Sequence, residues 1–346
     1  MFDYNLPIIS SCMDTLGSKG MLECCIKNKI PYICCRTFKT AEQQFYNFFT
    51  DFEWTEKYTN QDLNCVWFAV GSVQKYKDWI DYLFSKGVRR FCVDMAHGDS
   101  VACVDTIKYI KNLYDVYSKP YCKKYQDEHI IAGNVATVSG FIRLQKAGAN
   151  GIRAGIASGS ICSTAIETGF GVPILTNIID MAKYKKKNTW LIADGGCKTT
   201  GDIAKAIYFG ADFVMMGKML ASTDLACGEC YNKNKEKLFD NIKIETDEDY
   251  FACVYPHEFE EKYQKAIELD GENSDKFKQL CINNVVCYKE YHGLASRQAR
   301  KNVLSYASVE GVSGLIKYTC QTQQFIDDTY LRLQASLSYG GSKNWD

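Results

Sequence analysis

The chain of 346 residues lacks a net charge, since 41 lysines and arginines stand against 41 aspartates and glutamates. That balance removes the positive field on which binding to a phosphate backbone or an anionic membrane would draw, so neither nucleic acid nor membrane is expected as a partner. It also lacks any apolar run of the roughly eighteen residues that a membrane-crossing helix needs. The start, Met1-Phe2-Asp3-Tyr4, has neither the basic nor the apolar region of an export signal, and a cytoplasmic protein is expected. Without export, the 17 cysteines lose their usual reading as a disulfide framework. Scattered through apolar segments such as Cys24-Cys25, Cys34-Cys35 and Cys92, most are expected to be buried thiols packing as small hydrophobes.

No internal repeat is visible beyond one alternation. Short apolar runs fall at Pro7–Ser11, Pro31–Cys35, Asn64–Gly71, Arg89–Asp94, His129–Asn134, Ala149–Ala154, Thr189–Asp194 and Ala211–Gly217. Between them lie helical patterns at Ser18–Lys29, Val73–Gly87, Ser100–Tyr117, Val138–Gly148 and Thr200–Gly210. Continuous apolar runs are what parallel strands show when both faces are covered. Eight strand-helix units predict an α/β fold, a (β/α)8 TIM barrel, with an open doubly wound sheet as the alternative. Chemistry-bearing residues follow nearly every run, which suits one barrel mouth better than a single switch point. Residues 227–285 are charged and poorly periodic apart from a helix pattern at His257–Leu269, and read as an insertion or lid after the eighth strand. The barrel is then expected over 1–226 and 286–346, ending in a helix near Thr322–Ser336.

The most informative segment is Gly155-Ile-Ala-Ser-Gly-Ser-Ile-Cys162-Ser-Thr164, which brings a cysteine to the mouth on a loop whose backbone N–H groups can approach an anion. Asp194-Gly195-Gly196 sets an acid at a strand end, suited to two ribose hydroxyls, with glycines that let a phosphate near the backbone. Met216-Gly217-Lys218 repeats the device one strand later. Each has an ordinary reading too: a buried thiol, a helix cap, a tight turn. In the charged segment, Cys227, Cys230, Cys253, His257, Cys281 and Cys287 admit a structural zinc site, although only the first pair has ligand spacing.

Taken together, Pro7–Thr15, Val93–Gly98, Ala132–Thr137, Gly159–Cys162 with Thr164 and Gly169, Asp194–Cys197, Gly201–Ala206, Gly210–Gly217, Tyr291–Ser296, Val309–Val312 and Ser338–Gly340 resemble the IMP dehydrogenase/GMP reductase family, most closely its reductase branch. The resemblance implies that Cys162 attacks C2 of a purine 5'-monophosphate, assisted by Thr164 and Glu310. It implies that Asp194 holds the ribose, that Ser160, Gly196, Gly217 and Lys218 cradle the phosphate, and that Met13, Leu294, Ala295 and Ser296 complete the nucleotide site. Asp94, Asn134 and Ser72 are implied on the cofactor side, with NADPH, or alternatively NAD, as cofactor. A potassium ion on the carbonyls of Gly155, Ala157 and Cys162, and a homotetramer, are further implications.

The stretch between Arg36 and Asn64 has no room for the regulatory CBS pair that family dehydrogenases carry, and no adjacent Arg-Tyr pair lies between Ser296 and Glu310. Both features favour reductive deamination of GMP to IMP and ammonia over oxidation of IMP to XMP. Against it, Arg36 replaces the reductase's lysine, and an arginine shuttles protons poorly. The chain starts near its first strand and stops soon after Tyr339-Gly340, so a non-catalytic nucleotide-binding descendant stays open. The joint presence of Cys162, Thr164, Asp194 and Glu310 favours an enzyme.

Overall fold

Eight of the apolar runs form eight strands in the computed structural model: β1 (Ile8–Ser10), β2 (Tyr32–Cys34), β3 (Val66–Val70), β4 (Arg90–Asp94), β5 (His129–Val135), β6 (Gly151–Ala154), β7 (Trp190–Asp194) and β8 (Phe213–Met216). The structure describes residues 4–117, 126–160, 162–235, 237–238, 285–292 and 313–343. Every neighbouring pair in the sheet order β1-β8-β7-β6-β5-β4-β3-β2 is parallel. The remaining seam is drawn together by Ser10 N donating to Pro31 O at 2.9 Å and Ile33 N donating to Ser10 Oγ at 3.2 Å. The fold is a (β/α)8 barrel.

Strand alternation explains why the runs are apolar throughout. Ile9, Ile33, Trp67, Cys92, Ile131, Ile192 and Met215 fill the barrel interior, while Ile8, Phe68, Val93, Ile130, Ile152, Leu191 and Val214 pack outward against the helices. Each such side chain contributes about 1.5–3 kcal/mol of burial. Phe68, for instance, touches the rings of Phe45, Phe49 and Trp54, so truncating it to alanine would cost about 3–5 kcal/mol.

The helices are α1 (Lys19–Lys27), α2 (Ala41–Phe48), α3 (Asn60–Leu63), α4 (Val73–Ser85), α5 (Val101–Tyr117), α6 (Val138–Ala147), α7 (Thr164–Thr168), α8 (Ile174–Ala182), α9 (Thr200–Tyr208), α10 (Lys218–Ala221) and α11 (Thr322–Tyr339). Several starts are dictated locally: the Ser18, Thr40, Thr137 and Thr199 side chains accept backbone N–H bonds as N-caps of α1, α2, α6 and α9. The segment α2, a π-helical turn at Glu53–Lys57 and α3 fills a connection that periodicity leaves unassigned. The last helix, α11, packs against α9 and α1 and completes the outer ring, burying Ile326 and Leu333.

The largest departure from the sequence reading is a second sheet, formed by β9 (Cys230–Tyr231), β10 (Tyr288–His292) and β11 (Ser313–Lys317) in antiparallel order β11-β10-β9. The beginning of the expected insertion is thereby paired with the chain that follows it. The expected helix at 257–269 lies outside the described residues. Among the described residues no helix is long and apolar enough to cross a membrane.

Candidate active site

The ends of β2, β4, β6 and β7 bring four charges together at the barrel mouth. Arg153, on β6, donates through Nη1 to Asp94 Oδ1 at 2.6 Å and through Nε and Nη2 to Asp194 Oδ2 at 3.0 and 2.8 Å. Arg36, just beyond β2, donates to Asp94 Oδ2 at 3.2 Å and to the Tyr76 hydroxyl at 3.1 Å. Two guanidinium groups therefore alternate with two carboxylates. Arg153 and Asp94 are buried, at 6% and 7% exposure, and burying such ions alone would cost several kcal/mol each. Burial pushes the Asp94 carboxyl up, but the charges of Arg153 and Arg36 outweigh it and hold the group at about 2.

Asp194 is arranged asymmetrically. Its Oδ2 takes both Arg153 contacts and a third from Asn134 Nδ2 at 2.8 Å, whereas Oδ1 has no partner among the described residues and the side chain lines a cleft. The cleft has a volume of about 610 Å³ and is also lined by Cys12, Met13, Asp94, Arg153, Ser160, Cys162 and Gly217. Asn134 Nδ2 also donates to the Gly155 carbonyl at 2.8 Å, while Asn134 Oδ1 is buried without a hydrogen-bond partner. It is an acceptor suited to a hydroxyl or amide of a bound group.

The loop after β6 rests on the turn after β7. Ser158 Oγ donates to the Asp194 carbonyl at 2.6 Å, and Gly195, at φ +87°, has Ser158 Oγ within 2.6 Å of where a Cβ would stand. Only glycine fits that approach. At the loop's far end the Cys162 thiol donates to Thr164 Oγ1 at 3.0 Å. Thr164, the first residue of α7, does not line the cleft itself but fixes the thiol that does.

On the same cleft, Gly217 opens α10 with a Cβ position only 3.0 Å from the Tyr291 hydroxyl and 3.2 Å from Met13 Sδ. Tyr291, on β10, is 4% exposed and is pushed by burial up to about 12, so it stays a phenol donor at neutral pH. Leu315, Ile316 and Lys317 of β11 line the same cleft, as do Lys198 and Lys218. The second sheet thus roofs an end of the cleft where three exposed lysines and a phenol gather. β10 is anchored by Lys289, 1% exposed, whose ammonium donates to the carbonyls of Thr223, Asp224 and Ala226 at 3.1, 2.8 and 2.5 Å.

Of the residues expected from sequence, the cleft unites Met13, Asp94, Ser160, Cys162, Asp194, Gly196, Gly217 and Lys218. Asn134 joins them through Asp194. Ser72 stands apart from the cleft at the head of α4, its carbonyl accepting from Lys75 and Tyr76 N. Leu294, Ala295, Ser296 and Glu310 lie outside the described residues, as do Cys253, His257 and Cys281 of the zinc alternative. Among the described residues no group of three or more His, Cys, Asp or Glu is placed to hold a metal. Of the three carbonyls expected for potassium, Gly155 O is engaged by Asn134, and Ala157 sits at φ 61°, a strained position for a residue with a Cβ. That set fits a cation poorly, and no step below is routed through one. Sequence reasoning missed Arg153, Tyr291, Cys12, Lys198 and Lys317. The flanking motifs pointed at the first two, since Arg153 sits two residues before the cysteine loop and Tyr291 opens a matched stretch.

Comparison with known proteins follows the same lines. A family model described as IMP dehydrogenase / GMP reductase domain matches residues 2–241. The chain is 36% identical over 253 residues to GMP reductase of Leishmania major, covering 67% of this chain and 48% of that protein. It is 45% identical over 162 residues to inosine-5'-monophosphate dehydrogenase of Chlorobaculum tepidum, covering 46% of this chain and 31% of that protein. A similar match, 38% over 170 residues, is made with the inosine-5'-monophosphate dehydrogenase of Nitrosopumilus maritimus, covering 49% of this chain and 33% of that protein. The chain thus spans between about a third and a half of the curated relatives it matches.

Proposed function

Because the chain belongs to the IMP dehydrogenase/GMP reductase family, we propose that its cleft carries out redox chemistry on a purine 5'-monophosphate: NADPH-dependent reductive deamination of GMP. The reaction consumes GMP, NADPH and two protons and yields IMP, NADP+ and ammonium. The reading rests above all on one observation, a thiol held by Thr164 in the same cleft as a carboxylate with one oxygen unpartnered. Cys162 Sγ, as thiolate, bonds to C2 of the base, and the amine leaves with a proton supplied through Thr164 and Glu310. Bound NADPH supplies the hydride that reaches C2. The C–S bond then breaks, and Cys162 leaves as the thiolate with which the cycle began.

Asp194 Oδ1 accepts the ribose hydroxyls. The phosphate lies toward Gly196, Gly217, Ser160 and Tyr291, with Lys218 and Lys198 supplying charge. Met13, with Leu294, Ala295 and Ser296, faces the base, and Asp94, Asn134 and Ser72 serve the cofactor. The assembly in this reading is a homotetramer. The reverse assignment, oxidation of IMP to XMP with NAD, is favoured by the 45% identity to a dehydrogenase. Absorbance at 340 nm decides between them: a GMP-dependent fall with NADPH that Cys162→Ala abolishes supports the reductase. A rise with IMP and NAD supports the dehydrogenase. Silence in both, with nucleotide still bound, makes the protein a non-catalytic binder.

A further inference from the structure

We infer that Arg153 is a positioning residue for ribose selectivity: by holding Asp194 through Oδ2 alone, it turns Oδ1 into the cleft as a fixed acceptor for a sugar diol. The inference deepens the functional reading above and rests on it. Three donors converge on one oxygen of Asp194, two from Arg153 and one from Asn134. A carboxylate free to rotate would exchange its two oxygens and share those donors, presenting no defined acceptor. Here the exchange is blocked, because the guanidinium that makes two of the contacts is itself held by Asp94 Oδ1 at 2.6 Å. Arg153 is buried and its planar fork cannot turn without losing one carboxylate. A lysine at this position keeps the charge and loses the fork, since a single ammonium cannot reproduce three donors spread over two acids.

A sugar with both hydroxyls satisfies Oδ1, and a 2'-deoxy sugar leaves a desolvated carboxylate oxygen short of a donor, which binding sites penalise strongly. The wild-type protein is therefore expected to favour GMP over 2'-deoxy-GMP in kcat/KM by about tenfold or more. Arg153→Lys should shrink that ratio to below about threefold, and raise the KM for NADPH as well, because Asp94 loses the same partner. Asn134→Ala, which removes the uncharged donor to Asp194 together with its bond to the Gly155 carbonyl, should shrink the ratio partway. A merely structural role would lower both nucleotides' turnover equally and leave the ratio intact. The measurement is steady-state kinetics at 340 nm with GMP and 2'-deoxy-GMP, with binding of both by calorimetry for any variant too slow to assay. Wild-type ribose preference that survives in Arg153→Lys and in Asn134→Ala overturns the inference. A wild-type protein that neither binds nor turns over GMP or IMP overturns the functional reading instead. Should Arg153→Lys fail to fold, Arg153→Gln, which keeps a planar side chain but loses the charge and the fork, takes its place, and a ribose preference unchanged from wild type overturns the inference.

Discussion

The floor and the roof of the cleft are built on opposite plans. The floor comes from strand ends, and its charges are paired: Arg36, Asp94, Arg153 and Asp194 alternate in one chain whose middle pair is buried. The roof comes from β10, β11 and the loops after β7 and β8, and Lys198, Lys218 and Lys317 on its rim face solvent with no carboxylate partner among the described residues. The difference separates two tasks. Paired charges on rigid strands fix geometry and contribute to stability, while unpaired charges on the rim remain available to attract an anion and contribute little to folding.

That contrast can be broken or sharpened by four measurements. The largest effect is expected from Arg153→Met, which leaves Asp94 and Asp194 facing each other without their shared cation; urea unfolding should show a loss of about 3–5 kcal/mol. Next, Asp94 ties stability to pH. Its folded value of about 2 lies below the usual 3.8, so the stabilisation is full above pH 4 and is lost as pH falls toward 2. The loss should be about 2 kcal/mol, followed by acid titration of the melting temperature, and Asp94→Asn should flatten it. At the junction of floor and roof, Tyr291→Phe removes the hydroxyl that stands beside Gly217, and nucleotide affinity should weaken by about 1 kcal/mol, roughly five- to tenfold, in calorimetry. The smallest effect belongs to the rim: Lys218→Gly should change stability by less than about 0.5 kcal/mol, yet flatten the salt dependence of nucleotide binding. A rim variant as destabilising as Arg153→Met would erase the distinction.

The same contrast governs what the sequence reveals. Strands buried on both faces write themselves as apolar runs, so all eight were legible to within two or three residues at either end, and so were the helices bounded by side-chain caps and left-handed glycines at 87, 148 and 210. Asp94 and Asp194, the last residues of β4 and β7, and Cys162, on the loop after β6, follow from that register. Arg153 was not legible, because its worth depends on partners 59 and 41 residues away in sequence. The roof escaped for another reason. β10 reads Tyr-Lys-Glu-Tyr-His, without an apolar run, and Lys289 is buried only because three carbonyls from a distant loop receive it. No local pattern announces a lysine of that kind.

The position of α11 has a consequence in time. The helix that seals the ring between α9 and α1 starts at Thr322, whereas β8 ends at Met216. At about 5–20 residues per second of synthesis, this helix leaves the ribosome roughly 5–20 seconds after the last barrel strand. Throughout that interval Ile326 and Leu333 are not yet there to cover the faces of α9 and α1 against which the last helix packs.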